Sequence, residues 1–252
     1  MFEIWIGQMG EYGLLIALAI GLGFGFIHAF EPDHMVAVST IVGRYRNPFR
    51  SFWIGISWGL GHTTTLLIIG IVILALKVSI PASLAPYFEG AVALMLIGLG
   101  VQVIYSIRKS KVHQHIPGHE GDDHSHSHSH SHADNPAGST GDRDSKGIGR
   151  PFFRTKSYVI GTVHGLAGSS ALVLIVTASI PSPLTSLAFI LLFGLGSVLS
   201  MGLVTIIISF PFVLTANRAP NLNRYIQLSF GVLSILLGFF LVYGFLAETG
   251  VL

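Results

Sequence analysis

Apolar residues gather in six long runs, at roughly 12–41, 52–76, 84–107, 158–180, 184–214 and 226–246, separated by shorter polar connections. Each run reaches or exceeds the ~20 residues that an α-helix needs to cross bilayer hydrocarbon. The pattern predicts an all-α polytopic membrane protein with six transmembrane helices. The first run, about 30 residues, is longer than a bilayer requires even with tilt, and Pro32 lies inside it. A proline there removes a backbone donor and sets its ring against the carbonyl of His28, so the first helix is expected to be broken at Pro32. No basic stretch precedes this run and it continues past any cleavage site, which predicts a retained segment rather than a signal peptide.

The runs also repeat. Gly25-Phe26-Ile27-His28 corresponds to Gly161-Thr162-Val163-His164 at an offset of 136 residues, and Gly59-Leu60-Gly61-His62 to Gly194-Leu195-Gly196-Ser197 at 135. Residues 90–98 resemble 231–238 at an offset near 141. Three crossings per unit place the second unit upside down relative to the first. The expected architecture is therefore two three-helix inverted repeats, 1–107 and 158–252, with a substrate site at their interface near the midplane. Gly23, Gly25, Gly59, Gly61, Gly161, Gly165 and Gly168 are expected to let helices approach closely there.

Composition agrees with this reading and sharpens it. Of 252 residues 51% are hydrophobic and 10% charged, against about 25% charged in a soluble domain. Cysteine is absent, which excludes disulfides, thiolate metal sites and thiol catalysis. Thirteen of the fourteen Lys and Arg residues fall in connections that share one side if the six runs alternate, and Lys77 alone falls on the other. The positive-inside rule makes the first side cytoplasmic in a cell inner or plasma membrane and turns both termini outward. Arg44, Arg46 and Arg50, with Tyr45 at headgroup depth, are orientation anchors. Charges tethered at a membrane without a recognisable binding module imply no nucleic-acid partner.

Between the repeats, residues 108–157 change character, being rich in His, Ser, Gly and Asp. Such a linker is expected to be disordered without a ligand, and on the cytoplasmic side. It carries His113, His115, His119, His124, His126, His128, His130 and His132, the last five alternating with serine. A tract of this kind suits low-affinity metal buffering or sensing.

The chemistry concentrates elsewhere, in His28-Ala29-Phe30-Glu31-Pro32-Asp33-His34. Ionisable groups at membrane depth are expensive and mark substrate or ion paths. Imidazole and carboxylate together suit nickel, copper, zinc or iron. In a straight helix His28 and His34 would lie about 120° apart on the wheel. Unwinding around Pro32 is what would bring both imidazoles and Asp33 to one centre, with the freed backbone facing a cavity. His62 is the candidate from the second run and His164, as the repeat mate of His28, from the fourth. Glu31 is open between ligand, proton carrier and cavity residue, and Glu89 has no assigned role. Thr63, Thr64, Thr65, Ser169, Ser170 and Ser200 are expected chiefly to bond their own preceding carbonyls.

The pattern His28, four residues, Asp33-His34, followed by Gly61-His62-Thr63-Thr64 in the next run, resembles the signatures of the nickel and cobalt transporter family. The resemblance implies that His28, Asp33, His34 and His62 are site residues for nickel(II), with cobalt(II) a second substrate. It covers the membrane portion and not the linker. Permeases of that family have about eight helices and a second-half element with Asp, Thr and Glu, where this chain has six runs and His164-Gly165-Leu166-Ala167-Gly168-Ser169-Ser170. The chain looks more like the shorter branch found beside urease genes, while a His-rich loop between the third and fourth helices is similar to the efflux branch. The direction of transport stays open here, with uptake ahead.

The function expected is thus secondary transport of a divalent metal ion, with no permanently bound cofactor. No Gly-x4-Gly-Lys-Ser/Thr loop is present to bind ATP. An intramembrane metalloenzyme would need an open coordination position and a general base, for which Glu31 is the candidate, and the chain has no His-Glu-x-x-His element. A sensor that delivers metal from the His-rich loop to a cytoplasmic nickel chaperone is the other alternative. The sequence does not speak to the oligomeric state.

Overall fold

The computed structural model describes residues 11–43, 45, 47–77, 84–109, 153–166, 180 and 182–251. These form seven α-helices and no strand: α1 (Glu11–His28), α2 (Pro32–Val42), α3 (Pro48–Leu76), α4 (Ala85–Lys109), α5 (Thr155–His164), α6 (Pro183–Arg218) and α7 (Pro220–Glu248). Prolines open α2, α3, α6 and α7, where a missing N–H costs nothing and a fixed φ suits the first turn. Asn47 and Ser182 cap two of these starts by accepting from the Phe49 and Thr185 amides. The His-rich linker, with His124, His126, His128, His130 and His132, lies outside the described residues.

Among the described residues, four helices are long and apolar enough to cross a membrane: α3, residues 86–109 of α4, α6 and α7. The first run is divided where the break at Pro32 is expected, and the fourth is described only in part. The first is two short helices. Helix α1 ends at His28, the Phe30 amide donates to the Ile27 carbonyl and the Glu31 amide to the His28 carbonyl, and α2 starts at Pro32. Glu31 takes the extended conformation that a residue before proline favours. In the fourth run α5 stops at His164, and residues 167–179 lie outside the described set, together with Ser169 and Ser170.

Small hydroxyl side chains are buried within an apolar core, and large apolar side chains cover the outside. Ser51, Ser57, Ser186, Ser197 and Thr205 are buried, whereas Leu94, Ile207 and Phe240 are exposed. This is the distribution that a hydrocarbon solvent demands, with polar groups satisfied internally. Ser57 and Thr205 each bond a carbonyl four residues back in their own helix, and Thr64 does the same.

Helix α3 packs on α6, α4 on α7, α1 on α6 and α3 on α5. Close glycine contacts come in reciprocal pairs. A Cβ at Gly25 would strike the Phe193 carbonyl, and one at Gly161 the Trp58 carbonyl. One at Gly61 would strike the Tyr158 carbonyl and the Thr162 amide, and one at Gly196 the Leu22 carbonyl and the Phe26 amide. Each contact is its mate shifted by 135 or 136 residues. In α4 and α7 the reciprocal contacts are Gly100 with Gly231 and Ile235, and Gly238 with Ala93 and Ile97. That correspondence runs at 138 residues, the separation of the Ser234 hydroxyl from the Leu96 carbonyl it bonds, and replaces the offset near 141. Gly23, expected to serve packing, faces nothing within 4 Å, and Gly168 lies outside the described residues.

Candidate metal centre

Two helix ends and one helix start meet in the interior of the bundle. His28 closes α1 and His164 closes α5, so both imidazoles stand where the backbone dipoles leave partial negative charge. Asp33 lies in the first turn of α2, where a carboxylate is favoured, and its Oδ1 accepts from the His34 amide at 2.9 Å. His62 comes from the middle of α3. All four imidazoles are buried, and Asp33 is partly exposed.

The contacts are short. His28 Nε2 lies 3.1 Å from His62 Nε2, and His164 Nε2 lies 3.2 Å from His34 Nδ1. Asp33 reaches His34 Nδ1 through Oδ1 at 3.2 Å and His164 Nε2 through Oδ2 at 3.2 Å. Donors bound to a single first-row ion at about 2.0–2.1 Å lie about 3.0–3.4 Å from one another, so these separations suit a shared cation. Neutral imidazoles facing each other through nitrogen otherwise require one to donate to the other. Among the described residues two triples have ligand atoms mutually within 4.8 Å: His28, His34 and His62, and Asp33, His34 and His164. The interruption of the helix at 29–31 thus brings His28 and His34, which a continuous helix would separate, to ring centroids 4.5 Å apart.

Glu31 occupies the break with its side chain about one-third exposed. Its carboxylate accepts from His28 Nδ1 at 2.9 Å. With the proton held on Nδ1, Nε2 faces His62 with its lone pair, the arrangement by which a carboxylate orients a ligating histidine. His34 Nε2, His62 Nδ1 and His164 Nδ1 are buried and find no hydrogen-bond partner among the described residues.

Two aromatic walls close the cluster, and neither was anticipated from the sequence. Trp58 is fully buried, stacks on His34 at 6.0 Å between centroids and meets His164 edge-on at 5.4 Å. Phe193 lies 5.3 Å from His28. The signal was present: Trp58 precedes His62 by one helical turn on the same face, and Phe193 is its counterpart at an offset of 135. Ser197, the counterpart of His62, donates instead to the Gly25 carbonyl at 3.1 Å. Thr63 and Thr65 bond across the halves, to the Gly194 and Thr162 carbonyls, and Ser200 Oγ finds no partner among the described residues.

The chain is 37% identical over 235 residues to the urease accessory protein UreH of Bacillus sp. (strain TB-90), covering 93% of this chain and 94% of that one. It belongs to the UreH family of urease accessory proteins. Weaker similarity extends the UreH comparison to two Arabidopsis thaliana proteins, the chloroplast proteins FOR GROWTH AND FERTILITY 2 and 1. They are 22% and 26% identical over 92% and 90% of this chain and 57% and 58% of their own. No family model matches the chain, and no solved structure matches it.

Proposed function

We propose that this protein carries nickel(II), and cobalt(II) as a second substrate, across a cell membrane, moving the ion through the cluster of His28, Asp33, His34, His62 and His164 without ATP. The observation that carries the reading is the convergence of four buried imidazoles and a carboxylate at the interrupted ends of α1 and α5. A resident structural metal would not need interrupted helices, whereas a transported ion needs a site between elements that can move apart. The UreH relative supports nickel as the cargo, since its name ties it to urease and so to nickel handling. N and O donors without sulfur suit that ion. The likeness to a urease accessory protein supports uptake over efflux.

The reciprocal contacts of Gly25 with Phe193 and Gly161 with Trp58, and the matching stops at His28 and His164, support an inverted pair of three-helix units related about an axis through the cluster. The clustering of Lys and Arg at the start of α3, the end of α4, the start of α5 and the α6–α7 junction supports a cytoplasmic face there. Both termini then face outward, and the His-rich linker, with His124, His126, His128, His130 and His132, lies inside, where it concentrates nickel for a cytoplasmic chaperone.

Radioactive nickel flux in proteoliposomes of defined orientation tests the proposal, with an imposed proton gradient and with cobalt, zinc and manganese as competitors. Saturable nickel entry that cobalt inhibits is expected. Flux no greater than in protein-free liposomes, in either direction, would overturn it.

A further inference from the structure

We propose that the cluster offers its ion two overlapping seats that share His34, one formed by His28, His34 and His62 and the other by Asp33, His34 and His164, and that only one is filled at a time. The inference rests on the reading of the cluster as the nickel path and gives that path its internal steps. The short contacts fall into two sets. His28 and His62 meet through Nε2 at 3.1 Å, and His164 Nε2 meets both Asp33 Oδ2 and His34 Nδ1 at 3.2 Å. Each triple gathers its ligand atoms within 4.8 Å, and His34 is the member common to both. The His62 and His164 rings, one from each seat, stand 6.2 Å apart between centroids.

His34 enforces the exclusion. A neutral imidazole has a proton on one nitrogen and a lone pair on the other, so His34 completes one seat or the other. Its nitrogens also have different surroundings. Nδ1 lies beside Asp33 and His164, while Nε2 is buried with no hydrogen-bond partner among the described residues.

The seats differ in kind. The first is three imidazoles, all from the first half of the chain. The second is two imidazoles and a carboxylate, and it takes His164 from the second half. An ion passing between them exchanges partners in α1 and α3 for one in α5 while keeping His34. That ties its position to the contact between the halves.

Nickel-edge X-ray absorption on the detergent-purified full-length chain tests the inference, with the eight linker histidines changed to serine and half an equivalent of nickel added. Two to three imidazoles per nickel are expected in this background. His62→Ala should keep one bound nickel with two imidazoles and a carboxylate, His164→Ala should keep one with three imidazoles, and His34→Ala should bind none. Four imidazoles on one ion in the background protein would overturn the two-seat arrangement without touching the transport reading, and that count requires no site variant to fold. Complete loss of nickel from a folded His62→Ala or His164→Ala protein would also overturn it. No bound nickel in the background protein would instead remove the metal site itself, and the seats with it.

Discussion

Asp33 Oδ2 lies 3.2 Å from His164 Nε2, a contact that joins the first turn of α2 to the last residue of α5 across the two halves of the chain. If the ion crosses at this junction, both residues are required for passage. Asp33→Asn and His164→Ala should each insert and stay folded yet lower nickel flux at least about tenfold, the lower end of what disturbing even a ligand's outer partners costs. Proteoliposome flux, with size-exclusion profiles to confirm folding, checks this. Flux unchanged in either variant would remove that residue from the path.

Trp58 is the largest fully buried side chain among the described residues and lies against both His34 and His164. Trp58→Ala should destabilise the protein by about 3–5 kcal/mol, the usual cost of deleting a buried aromatic, and should weaken nickel binding as the two rings lose their wall. Trp58→Phe should restore most of the stability. Thermal unfolding in detergent, followed by tryptophan-independent circular dichroism, distinguishes the two. A Trp58→Ala midpoint equal to the parent's would show that the indole supports nothing.

Gly25 and Gly23 offer a paired comparison within one helix. A methyl group at Gly25 has no room against the Phe193 backbone, whereas one at Gly23 meets nothing within 4 Å. Gly25→Ala should lower stability by about 1–3 kcal/mol through overpacking. Gly23→Ala should be neutral or stabilising by up to about 1 kcal/mol, since alanine is the better helix former. The same melts report both. Equal effects would contradict the close approach of α1 and α6.

Removing residues 113–132 separates transport from sensing. A permease whose path lies in the bundle should keep its basal nickel flux and lose only the local enrichment that the His-rich tract provides. A sensor or delivery protein built on the tract should lose all nickel-dependent behaviour. Flux at saturating nickel, with and without the deletion, decides between them.

Much of the site was legible because its chemistry is costly in a membrane. His28, Asp33, His34 and His62 could be singled out as ionisable groups inside apolar runs, and His164 through the repeat, and the structure brings all five together. The break before α2 followed from Pro32. Hydropathy counts residues and does not register where α1 and α5 stop. The third repeat pair was misregistered because small residues recur often in α4 and α7, and only backbone approach at Gly100 and Gly238 fixes the alignment. Trp58 and Phe193 are marked in the sequence only by their spacing from His62 and from each other, since an aromatic in an apolar run carries no chemistry of its own.

The most direct test is a map of where nickel sits. Anomalous scattering at the nickel edge from crystals of the nickel-loaded protein should show an ion about 2 Å from a ring nitrogen of His34, inside the bundle and between the ends of α1 and α5. Nickel found solely on the linker histidines, with the His28 to His164 cluster empty at saturating metal, would contradict the account.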